Sequence, residues 1–200
     1  LYSHSAFIED KRVVSDFLVR EDSSAYPFAV DTSRVLGADK SGALITKIRG
    51  HIGVLARILS LNNGLLHTQF IANGEHLWLI EVTRRCPGDL YSLLIELSTG
   101  IPYAQHYVMP FLGQSAPPVV HFGTELIMRH TVTVLEEQGF GGLQFLRSVK
   151  IERYVPLASI GDHLKSSPTG RVAVVFIRAK DEEELGQVYS ATLQRQLYFV

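Results

Sequence analysis

The amino-acid sequence predicts an α+β fold, in which an antiparallel sheet packs against helices and a smaller α/β domain is appended. Short apolar or β-branched runs separated by polar turns fill the first third of the chain, which is typical of antiparallel strands. A stretch with helical spacing follows at residues 41–60. Of the 200 residues, 46% are hydrophobic and 20% are charged, so the chain can bury a core.

The first elements predicted are three strands and a helix. Strands at residues 6–8, 12–20 and 26–30 with polar turns between them indicate an antiparallel meander. An amphipathic helix is predicted over residues 41–60 and ends at Asn63-Gly64. The apolar residues at helical spacing are Leu44, Ile45, Ile48, Ile52, Leu55, Ile58 and Leu59.

Two helices and a boundary are predicted near the middle of the chain. Asp89 is placed to cap a helix over residues 90–97, which Ser98-Thr99-Gly100 would close. A second helix is predicted to begin near Pro102, because proline is tolerated in a first turn. Residues 114–118, Gln-Ser-Ala-Pro-Pro, form the best boundary signal in the sequence.

The sequence therefore predicts two domains, residues 1–113 and residues 119–200. The second domain is predicted to contain a helix over residues 182–193, in which Asp181 and Glu184 are spaced as a capping box. Its predicted strands are residues 119–122, 125–134, 144–153 and 171–178.

Charge and composition narrow the classes of function. The net charge of −1 gives no electrostatic footprint for nucleic acid or a membrane surface, so we expect neither partner and favour small-molecule chemistry or a protein partner. No apolar run approaches the roughly 20 residues that span a bilayer. The single Cys86 fits a reducing compartment, so a cytoplasmic location is expected. The eight histidines lack zinc spacing, and the sequence leaves homo-oligomerisation open.

The chemistry of the chain is expected in two predicted strands, residues 65–71 and 76–83. Gln69 places an amide oxygen on the first strand, and Glu81 places a carboxylate on the second. Mg²⁺ commonly takes one or two protein oxygens and lets substrate phosphates supply the rest. Arg85 follows the second strand, and an arginine can hold phosphate oxygens bidentately.

The connection between these strands decides whether Gln69 and Glu81 can meet. A plain two-residue loop at Asn73-Gly74 would place Gln69 opposite Trp78 and on the other face from Glu81, because side chains alternate along a strand. A three-residue loop over residues 72–74, with its glycine in the left-handed region, would bring both onto one face. The metal-site interpretation therefore predicts a hairpin that has odd length or contains a bulge.

The pattern resembles the nucleotide site of the ATP-grasp superfamily, which reads an acid or Gln followed at a distance by Glu-x-Asn-x-Arg. By this resemblance, Gln69 and Glu81 are ligands of the Mg²⁺ or Mn²⁺ that accompanies ATP, and Arg85 is the catalytic residue that faces the transferred phosphate. Thr83 stands at the Asn position and would be a further metal ligand. The resemblance covers about residues 1–113, as the C-terminal portion of an ATP-grasp domain.

The resemblance implies an ATP-dependent ligase that activates a small-molecule carboxylate as an acyl phosphate for attack by an amine or similar nucleophile. Family members carry lysines for the phosphates on an N-terminal lid. The sequence starts at Leu1, without Met and without such a lid. We therefore expect a fragment that holds half an active site and is inactive in isolation.

Other interpretations remain open at this level. A non-catalytic ATP-grasp-like binding or assembly module is favoured by Thr83 and by the missing lid. A general α/β ligand-binding domain is the second alternative, and an even-length hairpin would favour it. Glu81 could also form a structural salt bridge with Arg84 or Arg85, and Cys86 is interpreted as structural despite its basic neighbours.

Overall fold

Residues 1–27, 29–115 and 123–200 are described by the computed structural model, and over these residues the fold is α+β, with antiparallel strands and four α-helices. The fold class is therefore confirmed. In chain order the elements are β1 (Tyr2–Glu9), β2 (Arg12–Asp22), β3 (Thr32–Val35), α1 (Ala38–Ile58), β4 (Gly64–Asn73), β5 (His76–Thr83), α2 (Tyr91–Thr99), α3 (Tyr103–Val108), a 3₁₀ helix (Met109–Leu112), β6 (Ile127–Thr133), β7 (Gln138–Gly139), β8 (Gln144–Phe145), β9 (Lys150–Pro156), β10 (His163–Leu164), β11 (Arg171–Arg178), α4 (Glu182–Leu193) and β12 (Tyr198–Phe199).

The chain divides into two units, each with its own core. The first unit comprises Leu1–Arg20 and Val35–Thr124, and the second comprises Glu21–Arg34 and Glu125–Val200. The domain boundary expected between residues 113 and 119 stays a prediction. Among the described residues, no helix combines the length and the hydrophobicity needed to cross a bilayer.

In the first unit, neighbouring strands are antiparallel and follow the order β5-β4-β1-β2. The β1–β2 turn uses Asp10 and Lys11 at φ 46° and 63°, the positive values that suit the twist of a two-residue hairpin loop. Helix α1 packs on one face of these strands, where alternate residues of β1 and β2 join its apolar stripe. The buried residues of this core are Ala6, Ile8, Leu18, Ile48, Ile52, Ala56, Leu66 and Phe70.

In the second unit, the order of neighbouring strands is β3-β6-β11-β9. Helix α4 contributes Leu185 and Val188 to a core that β6 and β11 also line. The Asp181 half of the predicted capping box is present, because its carboxylate accepts from the backbone N of Glu184 at 2.8 Å. The Glu184 carboxylate accepts from the backbone N of Lys180, one residue before the cap, at 2.7 Å.

Several sequence predictions were wrong in detail. Within the strand predicted at residues 26–30, the described residues 26, 27, 29 and 30 form a turn and irregular chain, and β3 begins only at Thr32. The reason is local, since the Asp31 carboxylate accepts from the backbone N of Ser24 at 2.9 Å and folds this segment back. The strand predicted at 144–153 is interrupted and forms β8 and β9. The strand predicted at 119–122 lies outside the described residues.

Candidate metal and nucleotide site

The candidate site lies on the hairpin formed by β4 and β5. Asn73 pairs with His76, so the connecting loop has two residues, Gly74 and Glu75, and Gly74 has φ +56°. The specific three-residue loop over residues 72–74 is therefore wrong, although its glycine is in the predicted left-handed region. The pairing register set by this even-length loop changes further along the hairpin, where one residue of β5 has no partner on β4.

That residue is Ile80, and it forms a β-bulge. Phe70 pairs with Leu79 and Gln69 pairs with Glu81, which leaves Ile80 extra on the β5 side. The predicted bulged hairpin is confirmed. Directly opposed residues share a face and hold their Cβ atoms about 4.5–5.5 Å apart. The amide of Gln69 and the carboxylate of Glu81 are thus placed side by side, which no regular two-residue hairpin of this sequence would do.

The Glu81 side chain is exposed, and among the described residues it forms no ion pair with Arg84 or Arg85. The structural salt-bridge interpretation therefore finds no support in the geometry. Thr83 lies two residues further along β5, opposite His67 and half-buried. Because alternate residues share a face, its hydroxyl lies on the same face as the Glu81 carboxylate.

The two adjacent arginines differ in what holds them. The Nη2 of Arg84 donates to the carbonyl oxygens of Asn62 and Asn63 at 2.8 and 3.0 Å, which ties Arg84 to the start of β4. Arg85 is exposed and donates from Nη1 to the neighbouring carbonyl of Cys86 at 3.3 Å. In the part of the chain that the structure describes, this long hydrogen bond is the only one that the Arg85 guanidinium makes, so it can turn toward a phosphate. Arg85, rather than Arg84, is the guanidinium available at this site.

A buried polar cluster lies on the same face, beside the hairpin. The Nδ1 of His67 and the hydroxyl of Ser5 are 3.0 Å apart, and the Ser5 and Tyr103 hydroxyls are 2.9 Å apart. Burial, together with the positive potential of His4 and Arg85, lowers the pKa of His67 to about 4, so its imidazole is neutral at pH 7. Sequence reasoning missed Ser5, whose only signal was the alternation of small polar residues along β1, and Tyr103, the first residue of α3.

The residues after β5 do not act as the sequence suggested. Helix α2 begins at Tyr91 and is preceded by Leu90 at φ 57° and Asp89 at φ 59°, without a side-chain cap. The prediction that Asp89 caps this helix is therefore wrong, because a left-handed turn occupies the capping position. Burial raises the pKa of the Cys86 thiol, and neither the hydrogen bond with Ser92 nor the Arg85 charge reverses the shift. This favours the structural interpretation of Cys86.

The donor set is short of negative charge. No group of three or more His, Cys, Asp or Glu side chains able to hold a metal occurs in the part of the chain that the structure describes. At the hairpin, one carboxylate from Glu81 stands beside the neutral oxygens of Gln69 and Thr83. Such a set fits a hard cation whose remaining ligands are phosphate and water oxygens, the usual situation of Mg²⁺ in nucleotide sites.

Comparison of the whole chain with solved structures gives the fold. The chain superposes on phosphoribosylglycinamide synthetase from Anaerococcus prevotii with a TM-score of 0.74, 13% identity, and coverage of 95% of this chain and 50% of that one. The superposition on the L-amino acid ligase from Bacillus licheniformis has a TM-score of 0.71 and 17% identity, and it covers 98% of this chain and 52% of the ligase. The superposition on a biotin carboxylase–β-γ-ATP complex from Campylobacter jejuni has a TM-score of 0.60 and 12% identity, and it covers 99% of this chain and 45% of the carboxylase. The chain has the ATP-grasp fold.

The ATP-grasp fold is established by three-dimensional structure and not by sequence comparison. No protein-family model matches the sequence, and the comparison with curated proteins found no match. The chain spans about half the length of the three solved structures, with coverage of 45–52%. At 11–17% identity, the likeness establishes the fold and leaves the roles of individual residues to the geometry of the hairpin.

Proposed function

We propose that this chain is the nucleotide- and metal-binding part of an ATP-dependent ligase that activates a small-molecule carboxylate as an acyl phosphate for attack by an amine. The observation that carries the proposal is the bulge at Ile80, which places Gln69 directly opposite Glu81. A bulge is a specific departure from regular pairing that re-aims side chains, and bulges are over-represented next to active sites. The ATP-grasp fold supports the same conclusion.

In this proposal, each residue of the hairpin has a positioning or electrostatic role. Glu81 and Gln69 present oxygens to Mg²⁺, and Thr83 supports them from the next position on the same face. The cation, when bound with ATP, neutralises charge on the phosphate oxygens. Arg85 stabilises the charge on the phosphoryl group as it moves to the substrate carboxylate. Phosphoryl transfer needs this kind of placement more than it needs covalent chemistry.

Trp78 provides a native probe of nucleotide binding. It is the only tryptophan of the chain, it is 51% exposed, and it pairs with Ile71 on the same face as Gln69. We expect ATP with Mg²⁺ to change the fluorescence of Trp78. Glu81→Ala should raise the Kd for ATP in this titration by about tenfold or more, since losing one charged ligand costs more than about 1.4 kcal/mol of binding free energy.

Glu75→Ala is the matched control for Glu81→Ala. Glu75 is a carboxylate on the same hairpin, but its side chain is 95% exposed and pairs with Lys47. Its removal should leave the fluorescence titration unchanged. If both variants weaken ATP binding equally, the effect comes from the overall charge of the hairpin, and the role given to Glu81 is wrong.

Turnover is tested by ADP release with pairs of amino acids as carboxylate and amine donors. Acceptor-dependent ADP release that Glu81→Ala and Arg85→Ala abolish, with circular dichroism unchanged, would support the ligase assignment. The protein to use is the one that carries this chain in its natural context, because the chain spans only about half of the ATP-grasp structures it resembles.

A non-catalytic ATP-grasp-like binding or assembly module is the second candidate function. Thr83 favours it, since the hydroxyl is shorter than the Asn amide found at this position in the resembling family. ATP binding that depends on Glu81, without ADP release for any acceptor, is the outcome expected of this module. Thr83→Asn then tests whether the short hydroxyl is what prevents ADP release, because it restores the longer amide ligand without changing the charge.

A further inference from the structure

The hairpin site departs from an ordinary two-carboxylate cation site in its charge. Its first oxygen ligand is the neutral amide of Gln69, and its third is the neutral hydroxyl of Thr83, so Glu81 supplies the only negative charge. Arg85 follows Thr83 by two residues, and its guanidinium side chain is exposed. A divalent cation approaching this face would meet one carboxylate and one exposed guanidinium.

These charges disfavour binding of the cation alone. The attraction of a single exposed carboxylate is screened by water and salt, and the guanidinium opposes it. Cations of this class are held by sites whose affinity rises with the number of charged ligands. A polyphosphate changes the balance, because its oxygens add several negative charges, satisfy Arg85 and supply ligands to the cation at once.

We propose that this site takes up one divalent cation per chain, only together with a nucleotide polyphosphate, and that Gln69 is the residue that sets this dependence. The inference rests on the proposed nucleotide-binding function and specifies how that site is filled. Cation and nucleotide each raise the affinity for the other, as linkage requires.

The dependence is measured with Mn²⁺ by electron paramagnetic resonance, where free Mn²⁺ gives a strong signal that is lost on binding. Titration of the protein with Mn²⁺ alone should show no binding at concentrations that saturate the site in the presence of ATP. With ATP present, one Mn²⁺ should bind per chain beyond what ATP binds in buffer. Glu81→Gln should abolish this protein-dependent component.

Gln69→Glu is the decisive variant, because it should create a function that the natural chain lacks. It places a second carboxylate directly opposite Glu81, and binding of Mn²⁺ alone should tighten by about tenfold or more. Asn73→Asp is the matched control. It makes the same amide-to-acid change on the same strand, four residues away and about 13 Å along the chain, and should not bind Mn²⁺ alone.

The outcomes separate this inference from the function on which it rests. Binding of Mn²⁺ alone as tightly as with ATP, or of two Mn²⁺ per chain with ATP, would overturn the inference and leave the proposed function standing. A folded Gln69→Glu protein that still fails to bind Mn²⁺ alone would overturn the role of Gln69. If ATP changes neither the Mn²⁺ signal nor the fluorescence of Trp78, the proposed function itself fails.

Discussion

At the scale of single residues, Asp16 organises the polar part of the first unit. Its carboxylate lies 2.8 Å from Nε2 of His4 and accepts from Nε and Nη2 of Arg49 at 2.9 and 2.6 Å. Burial opposes ionisation of Asp16, but the hydrogen bonds with His4 and Arg49 outweigh it and hold its pKa below 3.8. Asp16 is therefore a buried carboxylate whose charge is compensated from two sides.

Asp16→Ala should destabilise the protein more than Arg49→Ala. The first change leaves His4, which is fully buried, without its partner, and removing one member of a buried pair costs about 3–5 kcal/mol. The Arg49 side chain is 47% exposed, so its removal should cost closer to 1 kcal/mol. Urea unfolding followed by circular dichroism measures both. Equal losses would mean that water already screens Asp16.

In the second unit, His130 is buried in a hydrogen-bond chain with one direction. The Thr32 hydroxyl donates to Asp31 at 2.7 Å and therefore accepts from Nδ1 of His130 at 2.8 Å. The other nitrogen, Nε2, then accepts from the Tyr198 hydroxyl at 2.8 Å. Burial lowers the pKa of His130 to about 4, with Asp31 opposing the shift. The imidazole is therefore neutral at pH 7, with its proton on Nδ1.

Stability should fall as the pH drops from 6.5 towards 4. In this window the unfolded chain protonates His130 and the folded chain does not, so the unfolded state binds more protons. The free energy of unfolding therefore falls by up to about 1.4 kcal/mol for each pH unit. His130→Gln should reduce this slope in urea unfolding between pH 7 and pH 5. His163→Gln, at a side chain that is 69% exposed, should not change it. Equal slopes in wild type and His130→Gln would contradict the assignment.

At the scale of secondary-structure elements, the sequence predicts best where the signals are local. The bounds of β5, β11 and α4 agree with the prediction, because strand periodicity and a capping box act over a few residues. The hairpin argument succeeds in part, since alternation of faces requires an odd-length loop or a bulge if Gln69 and Glu81 are to meet, and the structure has the bulge. It could not place the bulge at Ile80, because residues 77–80 are all apolar and none of them marks a break in the pairing register.

The bulge leads to an unusual prediction, that deleting Ile80 preserves the site. The pairs on either side, Phe70 with Leu79 and Gln69 with Glu81, can both persist when the unpaired residue is removed. Ile80 is 56% exposed, so little core is lost. Binding of Mn²⁺ with ATP should stay within a few-fold of wild type. Loss of binding with unchanged circular dichroism would mean that the local bend of the bulge, rather than the register, aims Glu81.

At the scale of the whole molecule, the two units are not consecutive pieces of chain. Residues 21–34 belong to the same unit as residues 125–200, although the two segments are far apart in sequence. Ser24 accepts from Nη1 of Arg195 at 3.3 Å, and β3 pairs with β6. Turn-forming composition at residues 114–118 predicts a boundary in sequence, but it carries no information about which distant segment completes a sheet. This is why long-range pairing escaped the sequence analysis while the fold class did not.

The predicted domain of residues 119–200 should therefore be unstable when expressed alone. It lacks β3, so the buried His130 loses its Thr32 partner, and a buried polar group left unpaired costs about 1–3 kcal/mol. Arg195 also loses its bond to Ser24, although it keeps Thr133. A domain is stable by only about 5–15 kcal/mol, so a few such losses remove most of the margin. Joining residues 21–35 to residues 123–200 through a Gly-Ser linker should restore cooperative urea unfolding. A fragment 119–200 that is as stable as this fusion would contradict the prediction. Residues 119–200 would then fold as an independent domain, as the sequence predicts, and residues 21–34 would add nothing to the stability of the second unit.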